Sequence, residues 1–156
     1  RLEENKLVEK VKFVSEDKKY TESLHKFNPE ELPFFYDHPI HHLPGMLLMC
    51  AARQACLAIG HIVYDVPMNF ETIIHSLNVD FYNYVADDKP VISFTESNIV
   101  NRRKNKVTID MCLIMRQSGL DMMKLSGRMI CVSKDMGKIL RDPEFKDVMV
   151  HKVAQV

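Results

Sequence analysis

Three polar side chains share one face of an otherwise apolar helical segment. Cys50, Arg53 and Gln54 stand at i, i+3 and i+4, a spacing that brings a thiol, a guanidinium and an amide within reach of one another. Apart from Pro44 and Gly45, the rest of residues 44–59 is Met, Leu, Ala, Cys and Ile. A helix with so little polar surface is expected to be enclosed by other elements, so this polar face is the candidate site.

The start of the same helix offers a second group of reactive side chains. Pro44 suits a first helical turn, and Gly60 is expected to end the helix. The free N–H groups near Gly45 and Met46 carry a partial positive charge that can stabilise an oxyanion. Histidines at 38, 41 and 42 precede the helix. His42 or His38 can move a proton there, or the histidines only cap the loop.

Two further alternatives concern the polar face. Cys50 is either a small buried hydrophobe or a nucleophile activated by His42. Arg53 on a buried helix needs a counter-charge, because an unpaired buried charge costs several kcal/mol. That charge comes either from an anionic ligand or from a buried acid such as Asp80.

Length, charge and cysteine usage restrict the class of protein. The 156 residues fit a single domain, 1–156. Lys+Arg and Asp+Glu number 21 each, so nothing predicts binding to nucleic acid. The apolar helical stretch is shorter than the roughly 20 residues of a membrane span, and no signal peptide precedes it, which predicts a cytoplasmic protein without membrane contact. The four cysteines lie in apolar segments and lack metal-site spacing, so we expect buried, reduced thiols and no metal site.

The remaining segments predict strands joined by short turns. Residues 73–82 alternate apolar and polar side chains, which indicates a half-buried strand, and residues 107–115 show the same alternation. Asn28 to Pro33 has the signals of a short helix. The other predicted strands are 6–14, 91–100 and 123–133, with a turn at 87–90 and a polar tail of short helices at 134–156.

A strand, a long apolar helix and then consecutive strands predict an α+β protein. Its antiparallel sheet must curve around the central helix to cover it, which is the hotdog fold. Residues 101–106, with Arg102 and Arg103, are either a solvated hairpin turn or a docking patch for an acidic carrier protein or for the phosphates of coenzyme A. The ten methionines either line a tunnel for an acyl chain or fill the core.

The helix and its preceding loop resemble the signature of the A-factor biosynthesis hotdog domain family. That signature has His-Pro, Asp-His, Val-Pro-Gly-Met, several aliphatic residues and Glu-Ala-x-Arg-Gln-Ala. The resemblance covers about residues 36–133, which would be the core of the domain. The matching residues are His38-Pro39, His42, Leu43-Pro44-Gly45-Met46, Leu47-Leu48, Ala51 and Arg53-Gln54-Ala55.

The resemblance implies an acyl-thioester-binding protein in the manner of butyrolactone synthases. Such enzymes transfer a β-ketoacyl group from acyl carrier protein or coenzyme A to dihydroxyacetone phosphate, with no bound cofactor. His42 would serve as acid or base, the Gly45 amide would bind the oxyanion, and Arg53 would bind phosphate. A single hotdog half implies a homodimer or a hotdog heterodimer. The further substrate-binding candidates are His38, Met46, Gln54, Arg102 and Arg103.

Two positions depart from the signature. His41 replaces an acidic residue, and Cys50 replaces the glutamate three positions before the arginine. In the related hydroxyacyl carrier-protein dehydratases, a carboxylate at that helix position is the general acid or base, and a thiol cannot replace it. One alternative is a hotdog dehydratase or thioesterase, against which the absence of this carboxylate counts. The other is a catalytically degenerate protein that binds acyl chains or stabilises a partner subunit, which Cys50 favours.

Overall fold

The computed structural model describes residues 7–16, 19–27 and 42–141. These residues form one six-stranded antiparallel sheet with the strand order β1-β2-β4-β5-β6-β3, and two helices. The long helix, α1, packs on the inner face of the sheet, as the sequence predicts. The elements in chain order are β1 (Val8–Phe13), β2 (Tyr20–His25), α1 (Gly45–Tyr64), β3 (Glu71–Phe81), β4 (Val91–Arg103), β5 (Lys106–Gln117), β6 (Leu120–Val132) and α2 (Lys134–Arg141).

Helix α1 begins at Gly45 as predicted but continues past Gly60 to Tyr64, so the predicted end is wrong. Gly60 is buried inside the helix, where a methyl group would lie 3.2 Å from Met129 Cε. The helix ends instead at Asp65, which has a left-handed φ of 49°. Gly60 therefore allows close packing on β6 and does not terminate the helix.

The length of α1 contradicts the expectation that the apolar helix is shorter than a membrane span. The helix has 20 residues and is long and apolar enough to cross a membrane by length and composition. Half of its most apolar window is buried inside the protein. That degree of burial is typical of the core helix of a globular domain.

The core lies between α1 and the middle strands. The helix contributes Leu47, Ala51, Ala55 and Ile59, none of which has exposed surface. The alternation predicted for residues 107–115 is confirmed, because its five apolar side chains all point inward from β5. These side chains are Val107, Ile109, Met111, Leu113 and Met115.

Strand β2 has no counterpart among the predicted elements. Its inward side chains are Thr21, Ser23 and His25, which are polar and yet at most 1% exposed. They face β4, whose inward side chains opposite β2 include Ser93 and Thr95. A strand whose buried face is polar produces no hydrophobic alternation, so the sequence pattern could not reveal it.

Strand β3 is where predicted, but it lies at an edge of the sheet and its expected half-burial is wrong. Ile74, Leu77 and Phe81 are 51%, 42% and 52% exposed. The sheet covers only one side of α1 in this chain, and the helix face opposite the core is exposed. Met46, for example, is 62% exposed.

The other predicted elements agree with the structure. Strands β1, β4 and β6 and the turn at 87–90 lie where expected, and α2 forms part of the predicted polar tail. The short helix predicted for Asn28 to Pro33 falls outside the described residues.

Candidate functional site

A groove runs between α1 and the edge strand β3, above the inner side of β6. We call it the α1–β3 groove; it has a volume of about 220 Å³ and is bounded by side chains such as Leu57 on α1 and Leu77 on β3. Its surface is almost entirely apolar. Six sulfur-containing side chains line it, namely Met46, Met49, Cys50, Cys56, Met111 and Met129. Thioether side chains are flexible and polarisable, so this surface can adapt to an apolar chain.

Arg53 stands at the rim of this groove. The structure shows its side chain exposed, where the sequence predicts a buried arginine. Within the described part of the chain, no carboxylate lies within ion-pair distance of it. Asp80, the suggested internal partner, is paired in register with Lys124 on the outer face of the sheet. The Arg53 guanidinium is therefore hydrated and available to an anion.

The other arginine on the groove, Arg128, already has a carboxylate partner. Arg128 binds Asp110 in a two-pronged ion pair, with Nε to Oδ1 at 2.6 Å and Nη2 to Oδ2 at 2.8 Å. The hydrogen bonds from Arg128 hold the pKa of Asp110 below its usual range. Arg53 is thus the arginine on this groove that lacks a carboxylate partner among the described residues.

The cysteines differ in their environment. Cys56 is buried, and the loss of hydration raises the pKa of its thiol to about 12. Burial also raises the pKa of Cys131. Cys50, on the groove, is half-buried, as is Cys112. The expectation that all four thiols are buried is therefore correct only for Cys56 and Cys131.

A second cleft, the N-terminal cleft, lies at the start of α1 and has a volume of about 610 Å³. It brings together His42 and Gly45 with the aromatic residues that follow β3. The His42 ring lies 4.9 Å from the ring of Tyr84. The first helical amides that donate to the Pro44 carbonyl are those of Leu47 and Leu48, so the Gly45 and Met46 N–H groups precede the helical ladder.

Hydrogen bonds across the loop hold the N-terminal cleft in shape. The Leu43 N–H donates to the Val85 carbonyl at 2.7 Å, and His42 pairs with Ala86 in an isolated β-bridge. The Gln117 side chain accepts from the Ala86 N–H at 2.8 Å and donates to the carbonyls of Ala86 and Lys89. Gln117 was not among the predicted site residues, and its position at the end of β5 gives no signal of this role.

The predicted site residues on α1 beyond Met46 lie apart from His42. Cys50 and Arg53 are about 7.5 and 12 Å further along the axis of α1 than Gly45, at 1.5 Å per residue. Gln54 lies on the side of α1 that faces the start of β1, where its Oε1 accepts a hydrogen bond from the Leu7 N–H at 3.0 Å. His38 lies outside the described residues.

Arg102 and Arg103 lie at the opposite end of the sheet from the N-terminal cleft. They end β4, where they pair with Val107 and Lys106 of β5. Phe81 and the start of α1 lie much further along the sheet, in the row of paired residues that contains Ser93 and Met115. Ten strand residues separate the two positions, a distance of about 30 Å at 3.3 Å per residue. The structure does not bring these arginines near His42.

Within the described residues, no group of three His, Cys, Asp or Glu side chains is arranged to hold a metal ion.

Sequence comparison finds a matching family and a similar synthase. The A-factor biosynthesis hotdog domain matches residues 11–133 of this chain. A 2-oxo-3-(phosphooxy)propyl 3-oxoalkanoate synthase from Streptomyces virginiae is 36% identical over 61 residues, which are 39% of this chain and 18% of that enzyme. The matched segment is therefore a small part of the length of the curated relative.

Structural comparison finds hotdog thioesterases. A thioesterase from Haemophilus influenzae has a TM-score of 0.52 at 10% identity, covering 79% of this chain and 78% of that one. A hypothetical thioesterase from Streptococcus pneumoniae, solved with coenzyme A, has a TM-score of 0.51 at 12% identity, covering 81% and 89%. At these identities the similarity shows the fold, which is the hotdog fold predicted from the sequence.

Proposed function

Because this chain belongs to the A-factor biosynthesis hotdog domain family, we propose that it binds an acyl thioester along the open face of α1. As an enzyme, it would transfer a β-ketoacyl group from acyl carrier protein or coenzyme A to a small hydroxylated phosphate such as dihydroxyacetone phosphate. The matched synthase is named for such an ester product. The α1–β3 groove, with Arg53 available at its rim, is the observation that carries the proposal.

The groove fits the acyl part of such a ligand. An apolar chain gains about 0.8 kcal/mol per buried CH₂ group, and the sulfur-containing side chains adapt to its conformation. The ligand must also carry negative charge, on the phosphates of the donor or on the acceptor. Arg53 can pair with a phosphate through two parallel hydrogen bonds without giving up an existing carboxylate partner.

The N-terminal cleft supplies the groups for acyl transfer. The amides of Gly45 and Met46 would bind the oxygen of the thioester carbonyl as negative charge develops on it. His42 would accept the proton of the acceptor hydroxyl, whose oxygen forms the ester bond to the acyl carbon. The C–S bond then breaks, and His42 returns the proton to the departing thiolate.

The carrier of the acyl group would dock at a distance from the reacting atoms. Arg102 and Arg103 lie exposed at the far end of β4. We propose that they contact an acidic carrier-protein surface or the distal phosphates of coenzyme A, and that they do not contact the acyl group itself.

We also propose that the site is completed by a second hotdog domain, in a homodimer or a heterodimer. The edge strand β3 is 11 residues long, contains no lysine or proline, and exposes Ile74 and Leu77 beside the groove. The opposite edge strand, β1, is six residues long and carries Lys10 and Lys12. Lysines and short length protect an edge from pairing, so β3 is the edge suited to a partner.

A second candidate function is binding without catalysis. Cys50 occupies the position of the family's glutamate, and no carboxylate is among the described residues that line the groove. The same observation argues against a dehydratase or thioesterase, since such enzymes need a general acid or base there. A protein that binds acyl thioesters and supports an active partner subunit would retain the groove and Arg53.

The proposal is tested by measuring binding and turnover separately. Purified protein is titrated with a β-ketoacyl-coenzyme A by calorimetry, then incubated with it and dihydroxyacetone phosphate while the ester product is sought by mass spectrometry. Arg53→Ala should weaken binding by about tenfold or more, as expected for loss of a charge-assisted contact. The matched control is Arg116→Ala, because Arg116 pairs with Asp121 away from the groove.

The outcomes distinguish acyl transfer from binding without catalysis. Ester product with the wild type, reduced strongly in His42→Ala, supports acyl transfer. Binding without product supports the binding function. No affinity for acyl-coenzyme A contradicts both, provided that thermal unfolding shows the sample to be folded and light scattering shows it to be dimeric.

A further inference from the structure

Phe81 stands between the α1–β3 groove and the N-terminal cleft. It is the last residue of β3, and its ring lies against the first residue of α1. A methyl group at position 45 would lie 3.1 Å from Phe81 Cζ and 3.2 Å from Cε1. These distances are below the 3.5–4.0 Å of an ordinary carbon contact, so the ring takes the space that the missing side chain of Gly45 leaves.

The two elements that bound the groove run side by side in opposite directions. The groove is lined by Cys56 and Thr72 towards one end and by Met46 and Leu77 towards the other. Beyond that second end Phe81 meets Gly45, and both residues line the N-terminal cleft. A chain that leaves the groove for the start of α1 must therefore pass the Phe81 ring.

The backbone around Phe81 is held, while its ring has room to turn. Phe81 pairs with Met123 at the end of the ladder between β3 and β6, and the Tyr82 N–H donates to the Met122 carbonyl at 2.8 Å. Phe81 as a residue is 52% exposed. The ring of a half-exposed residue on a held backbone can rotate aside for a narrow chain without a change in the fold.

From this geometry we infer that Phe81 is a specificity-determining residue that admits unbranched acyl chains and rejects chains branched next to the carbonyl. The inference rests on the proposed function, since it places the acyl chain in the α1–β3 groove and the carbonyl at the Gly45 and Met46 amides. Once the ring has turned aside, the carbon that bears a branch lies between Gly45 and the Phe81 ring. An extra methyl group there meets the ring, whereas an unbranched methylene passes it.

The inference is tested by comparing hexanoyl-coenzyme A with 2-methylhexanoyl-coenzyme A by calorimetry. We expect the wild type to bind the unbranched thioester about tenfold or more tightly than the branched one, since one misplaced methyl group in an apolar site is worth a factor of about 10 to 200. Phe81→Ala should bring the ratio to within about twofold, and Phe81→Leu should give an intermediate ratio.

Two variants control this experiment. Phe13→Ala removes a phenylalanine of similar exposure from the far edge strand β1, and it should keep the wild-type ratio. Gly45→Ala pushes the ring from the opposite side, so it should weaken the binding of both thioesters. Thermal unfolding of each variant establishes that it is folded before binding is measured.

Failure of the proposed function and failure of the role of Phe81 give different results. If the wild type binds neither thioester, the proposed function fails and the role of Phe81 fails with it. If the wild type binds both thioesters equally, or if Phe81→Ala keeps the wild-type ratio, the acyl-binding function stands and the role of Phe81 is wrong.

Discussion

The Nε2 atom of His25 lies 2.7 Å from the hydroxyl oxygen of Ser93, and neither side chain has any exposed surface. The pair joins β2 to β4 on the inner face of the sheet, beside three further buried hydroxyl-bearing residues, Thr21, Ser23 and Thr95. A polar layer therefore lies under α1 on this side, whereas apolar side chains fill the core on the side of β5. The buried histidine in this layer predicts that the fold is sensitive to acid.

Protonation of His25 is predicted to destabilise the fold. Burial lowers the pKa of His25 to about 4, compared with 6.5 for an exposed histidine. Between these values the unfolded chain binds a proton that the folded chain does not, so stability falls as the pH drops below about 6.5. By about pH 4 the loss is about 3 kcal/mol, and it stays constant at lower pH.

Urea unfolding measured between about pH 7 and pH 4 checks this prediction. His25→Gln should remove this part of the pH dependence, while His75→Gln, at an exposed position of β3, should keep it. An unchanged pH profile in His25→Gln would assign the acid sensitivity to other groups.

Replacing Gln54 should weaken the attachment of β1 to α1. The Gln54 side chain accepts the Leu7 N–H across 47 positions of sequence. Gln54→Ala is expected to lower the free energy of unfolding by about 1 kcal/mol, as for one ordinary hydrogen bond. Urea unfolding gives this value, and acyl-coenzyme A binding is measured on the same sample. Unchanged stability with a large loss of affinity would favour the substrate-binding role predicted from the sequence.

Replacing Gln117 should lower the free energy of unfolding more than replacing Gln54 does. Its side chain is 4% exposed and makes three hydrogen bonds to the backbone of Ala86 and Lys89. Gln117→Leu leaves those backbone groups unsatisfied, so we expect a loss of about 2–4 kcal/mol in thermal or urea unfolding. Asn98→Leu, on an exposed position of β4, serves as the control. A loss no larger than in the control would mean that water replaces the side chain.

Alkylation by iodoacetamide should distinguish the four thiols. Cys56 is buried and its pKa is raised to about 12, so it should remain unmodified in the folded protein. Cys131 should react slowly for the same reason, and half-buried Cys50 should react before both. Peptide mass spectrometry over time follows each site. Reaction of Cys50 no faster than that of Cys112 or Cys131 would eliminate the hypothesis of an activated nucleophile.

The core elements could be predicted from the sequence because their signals are local. The start of α1 depends on Pro44, and β5 is defined by the alternation from Val107 to Met115. The resemblance of residues 38–55 to the family signature is enough to predict the hotdog fold. Each of these features is determined by residues a few positions apart.

Features that depend on distant neighbours were decided by the tertiary structure. Gly60 lies inside the helix, close to Met129, instead of ending it, and β3 is exposed because the strand order places it at an edge. Phe81 meets Gly45 across 36 positions of sequence, and no local pattern records that contact. Periodicity in a sequence shows which face of an element is apolar, but only packing decides what covers that face and which side chains meet there.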